Sequence, residues 1–126
     1  MGLFGNKEEK RAQEAAAKEA ADRFVAMPVE ELAAAMLPAF SSTQKKPAAG
    51  VLMVGQFLMS PYPRGALFIK QLLEPIREAI QCLENHGLLI AKVSNVGGST
   101  VSITRAGEQA VANGNALSVL RGGSSD

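Results

Sequence analysis

The sequence predicts a mainly α-helical protein carrying one small β-hairpin, and three observations predict it. Apolar residues recur at three- and four-residue spacing through most of the stretch from Val29 to Leu83. The period falls to two between Leu89 and Ile103, around a glycine pair. A helical pattern then resumes at Arg105 and stops before Asn113–Gly114.

The first segment, 7–26, is rich in strong helix formers, with Ala12, Ala16, Ala17 and Ala20 as its weak apolar side. Glu14–Lys18 and Glu19–Arg23 stand in the favourable i,i+4 order. Five basic and five acidic residues leave the segment neutral, so it reads as a solvated extension or as a strip pressed on a partner chain. Ahead of it, "MGLFGN" has Gly2 after Met, but Asn6 where the myristoylation pattern wants Ser or Thr.

A second helix is expected over 27–40, with Pro28 at its first position and Glu30 and Glu31 near the positive end of its dipole. Val29, Leu32, Met36 and Phe40 form its buried face, and Pro38 should fray or kink its end. "SSTQKKPAAG", 41–50, is polar and breaker-rich and reads as a linker. Four segments follow from these breaks: 1–26, a charged N-terminal helix; 27–48, a helix and linker; 49–114, the patterned domain; 115–126, a flexible tail.

Within 51–60, Val51, Val54, Phe57 and Leu58 have helical spacing, although so short a run also suits a buried strand. "PYPRG" is a turn and "ALFIKQLL", 66–73, a short helix that Glu74–Pro75 interrupts. A new helix is expected to start at Pro75, bury Ile76, Ile80 and Leu83, and end on Gly87 in the left-handed conformation. Leu89, Ala91 and Val93 alternate with Ile90, Lys92 and Ser94, Val101 and Ile103 alternate with Thr100, Ser102 and Thr104, and "NVGG" supplies the hairpin turn.

Composition limits the chemistry. Thirteen Lys plus Arg against twelve Asp plus Glu give a net charge of +1, so no strong field of either sign is expected. One cysteine, Cys82, excludes an intrachain disulfide, and with a single histidine, His86, no multi-Cys or multi-His metal site assembles. Cys82 and His86 share a helical face, where a small half-buried thiol and an imidazole at the helix's negative end are expected. No nucleophile–base pair or phosphate loop occurs, so no enzyme, catalytic residue, metal or cofactor is predicted. Without a leader pattern or a spanning apolar run, the expectation is a cytoplasmic protein with no stable membrane insertion.

"CLENHGLL" at 82–89 and "VSITRAGEQAV" at 101–111 complete an order of elements that resembles the winged helix-turn-helix of MarR-, ArsR- and PadR-type bacterial regulators. The resemblance covers roughly 49–114. It implies "ALFIKQLL" as supporting helix, Pro75–His86 as recognition helix, the hairpin around Asn95–Ser99 as wing, and flanking helices that make a homodimer. It further implies a transcriptional regulator binding double-stranded DNA. Arg64, Arg77 and Gln81 would then lie near bases, with Lys70, Lys92 and Arg105 on phosphates.

The charges argue both ways. Arg77 and Gln81 suit bidentate readout of guanine and adenine, but Glu74 and Glu78 share their surface and the wing tip carries no cation. The alternative is a winged-helix protein-interaction module without intrinsic DNA binding. A third reading gives the work to the helices of 1–40, as a coiled-coil or membrane-surface element.

Overall fold

The computed structural model describes residues 3–94 and 98–122, with side chains described for 7–92 and 100–122. The chain is mainly helical with a small antiparallel sheet: α1 (Leu3–Ala26), α2 (Val29–Met36), α3 (Val51–Met59), α4 (Leu73–Asn85), β1 (Leu89–Ser94), β2 (Gly98–Ile103), α5 (Arg105–Asn113) and α6 (Ala116–Leu120). Two 3-10 segments join them, Leu37–Phe40 after α2 and Gly65–Leu72 before α4. Of the expected turn "NVGG", 95–98, residues 95–97 lie outside the described residues and Gly98 opens β2.

The core forms where α2 and α3 pack on α4. Leu32, Met36 and Phe40 meet Val54 and Leu58, and Ile76, Ala79, Ile80 and Leu83 of α4 close the cluster. The expected face of the second helix is therefore its buried face, with Val29 partly covered at the edge. Pro28 precedes the first helical residue, and the α-helix ends at Met36, where Pro38 sits in the tighter 3-10 turn.

Three sequence expectations need correction. The recognition-type helix does not start at Pro75, since α4 begins at Leu73. Within α4 itself the third residue's amide would have no acceptor, so a proline there breaks none of that helix's own hydrogen bonds. The 66–73 segment is a 3-10 helix that runs into α4 with no non-helical residue between them. A helix-turn-helix needs a turn there; the helix that precedes a turn is α3, followed by the stretch 60–64.

The 115–126 tail is likewise not free as far as it is described. Residues 116–120 form α6, which buries Ala116 and Leu120 and packs on α2. Arg121 then pairs with Glu31 at 3.0 Å.

Residues 41–50, expected as a linker, are tied to the body. Ala48 N–H donates to the Ala39 carbonyl at 2.8 Å, and the Ala49 carbonyl accepts from Val101 N–H at 2.9 Å. Ser41 is buried, and its hydroxyl donates to the Glu108 carboxylate at 3.0 Å while Ser42 N–H donates to the other oxygen at 2.9 Å. One apolar cluster extends from Ala17 to Leu120, through both sides of that segment.

The N-terminal helix docks by Ala17, Ala20 and Ala21, all fully buried, with Phe24 partly covered. Ala12 and Ala16 are exposed. Small side chains bring α1 close to Gly65–Leu72, its main neighbour. The expected i,i+4 pairs do not form: Glu14 binds Arg64 at 2.9 Å, Lys18 binds Asp22 at 2.9 Å, and Arg23 donates to the Tyr62 hydroxyl at 3.2 Å. Tertiary partners take Glu14 and Arg23, and Lys18 takes a different local partner, since local pairs contribute only a few tenths of a kcal/mol each.

Candidate interaction surface

Helix α4 buries one side and presents Glu74, Arg77, Glu78, Gln81 and Asn85 on the other. On the 3-10 segment before α4, Lys70 and Leu67 are exposed as well. Leu67 is 58% exposed, and α3 adds Leu52 at 57% on its own outer face. Gly55 lets α3 and the 3-10 segment approach closely, because a Cβ there would stand 2.7 Å from Ile69 Cγ2.

Of the six residues expected at DNA, Arg77 and Gln81 share this face of α4, and Lys70 is exposed on the segment before it. Arg77 is held by Glu74 at 3.0 Å, within the first two turns of α4. Arg64 stands before the 3-10 segment in the left-handed conformation, φ 65°, with its guanidinium on Glu14 of α1. Lys92 is exposed on the outer part of β1.

Arg105, also exposed, opens α5 beside the far end of α4. Thr104 places it there: its hydroxyl donates to the Gly87 carbonyl at 2.6 Å and accepts from Gly107 N–H at 3.0 Å. From Arg77 to Asn85 the helix rises about 12 Å. Arg105 and Arg77 therefore mark different ends of α4.

His86, Asp22 and Glu108 are engaged within the fold. His86 Nδ1 lies 2.9 Å from the Cys82 carbonyl, so the imidazole caps its own helix. Burial raises the Cys82 thiol pKa, and the Glu30 carboxylate raises it further. Asp22 is held below its ordinary value by hydrogen bonds from Lys18 and then Gln71. Glu108 is lowered by its bonds from Ser42 and Ser41. Among the described residues no group of three His, Cys, Asp or Glu converges as a metal site, and no helix is long and apolar enough to cross a membrane.

Sequence reasoning missed the Ser41–Glu108 contact and the exposed apolar side chains beside the α4 strip. Ser41 carried no periodic signal that marks it as buried, and Leu67 fitted a helical apolar pattern that a 3-10 segment does not follow. Comparison with known proteins returns no match: no family model, no curated relative and no solved structure aligns with the chain.

Proposed function

We propose that this chain is a winged-helix-type module that docks on a protein through the strip running from Leu67 to Gln81. The winged-helix reading is supported by the packing of α2 and α3 on α4, by the hairpin that follows α4, and by the backbone bond from Val101 to Ala49 beside that hairpin. The observation that carries the docking reading is the balanced charge of exposed Lys70, Glu74, Arg77 and Glu78, two cations against two carboxylates. Arg77 is engaged by Glu74 and Arg64 by Glu14.

Lys70 and Arg77 balance Glu74 and Glu78, which offers a groove of phosphates no net attraction. A mixed polar strip edged by Leu67 suits the polar rim and apolar centre of a protein interface. A photocrosslinking residue at Gln81, used in the cell of origin, should join to a protein. Capture of DNA at that position overturns the reading.

DNA binding stays as a second reading on one observation: Arg77 and Gln81 are both exposed, four apart on one face of α4. Exposed ion pairs are worth about 0–1 kcal/mol and exchange readily for phosphate or base contacts. Under this reading a random-sequence duplex binds at low salt, with Lys70, Lys92 and Arg105 adding to the salt dependence.

A further inference from the structure

We propose that the groove between the start of α2 and the outer face of α4 receives an arginine side chain of a partner protein. The inference rests on the docking reading above and names the chemistry at the Gln81 end of that surface. Val29 of α2 and Glu78, Gln81, Cys82, Asn85 and His86 of α4 line the groove, whose volume is about 340 Å³. Val29 and Cys82 are partly covered, while Glu78, Gln81 and Asn85 are exposed.

The charge of the two helices selects the occupant. Together α2 and α4 carry Glu30, Glu31, Glu74, Glu78 and Glu84 against one arginine, Arg77, and no lysine. Glu31 is engaged by Arg121 and Glu74 by Arg77. Glu30, Glu78 and Glu84 have no ion-pair partner among the described residues. The groove's own lining contains neither lysine nor arginine. Glu78 stands one turn before Cys82 on α4, and Glu30 acts on the same thiol from α2. A cation entering here meets a negative field that no side chain of the lining offsets, and a phosphate is repelled by it.

Arginine suits the walls better than lysine. Glu78, Gln81, Cys82 and Asn85 follow one another at three- and four-residue spacing, which sets them on one face of α4. A planar guanidinium offers donors in a fixed fork, enough for the Glu78 carboxylate together with the amide oxygens of Gln81 and Asn85. Its methylene stem can then lie along Val29 and Cys82.

The test is a titration of the nitrogen-15-labelled full chain, at low salt, with a short capped peptide that alternates alanine and arginine. The amides of Val29 and of the stretch from Glu78 to His86 should shift. A twin peptide with lysine should bind more weakly, and one with uncharged citrulline should shift none of them. Glu78→Gln and Glu30→Gln should each weaken the arginine peptide about two- to fivefold, the loss of one exposed ion pair, with the dispersion of the spectrum kept. No shift at the highest soluble peptide concentration overturns the proposal. Equal shifts with citrulline, unchanged binding by both folded variants, or shifts spread equally to the exposed carboxylates of α1 such as Glu19 overturn it too. A protein joined at Gln81 through a segment without arginine refutes the arginine and leaves the docking surface standing, whereas DNA captured there removes both.

Discussion

The Glu108 carboxylate takes the Ser41 hydroxyl at 3.0 Å, across 67 positions of sequence. This contact, with the Ser42 amide on the second oxygen, fastens the 41–50 segment to α5. Ser41 is the buried polar residue of the core, and Thr43 shares its hydroxyl at 2.9 Å. The arrangement has a pH signature.

Because hydrogen bonds hold the Glu108 pKa below its ordinary 4.5, its contribution to stability is present above that value. It is lost as pH falls through the lower, folded-state pKa. Glu108→Ala should therefore lower the thermal midpoint at neutral pH. The gap between variant and wild type should close at acid pH, as followed by circular dichroism melts in matched buffers. A gap that persists after Glu108 has been protonated would show that packing, not the carboxylate, holds the segment.

Gly107→Ala should destabilise the fold by about 1–3 kcal/mol in urea titrations. A Cβ there would press on the Leu88 carbonyl and the Ile103 side chain, at the junction of β2 and α5. Thr104→Ala should cost about 0.5–2 kcal/mol at the same junction, since it removes the N-cap of α5. The two effects should not add, because both loosen one set of contacts around Gly87 and Leu88.

Ala21→Asp should destabilise by more than about 3 kcal/mol, because a carboxylate would enter the fully covered seam under α1. Glu14→Ala breaks only the part-exposed pair with Arg64, so its effect should stay under about 1 kcal/mol. Paired urea titrations would show whether α1 is held by its alanines or by its charges.

Replacing both Glu74 and Glu78 by Gln should leave the melting point close to that of the wild type, since both side chains are exposed. It frees Arg77 and removes the carboxylates from the strip. If their charge is what excludes nucleic acid, the double variant should gain salt-sensitive binding to random duplex that the wild type lacks, read by fluorescence anisotropy. Equal binding by both proteins would remove the electrostatic argument.

Much of this architecture was legible because it obeys periodicity. The buried stripe of α4, its end on Gly87 at φ 75°, and the antiparallel pairing of β1 with β2 all follow from local patterns. The start of α4 was not legible, because a proline reads as a break unless its place in the first turn is known. The packing of 41–50 was hidden for another reason. Its contacts are to residues far along the chain, and a polar, lysine-containing stretch gives no sign that one serine is buried.

The candidate surface was legible in part. Spacing along α4 put Arg77, Gln81, Glu74 and Glu78 on one outer face, and the structure exposes all four. The partner of Arg64 could not be read, since Glu14 reaches it only through the docking of α1.

The position of α6 sets an order of events during synthesis. Helix α2 emerges early, yet one side of it is covered only when residues 116–120 have been made. Ala34 and Pro38, which line a small groove with Val111, Ala116 and Leu117, stay open to water until then. A nascent chain that ends before α6 thus exposes an apolar seam on α2, the kind of surface on which chaperones act and incomplete chains aggregate.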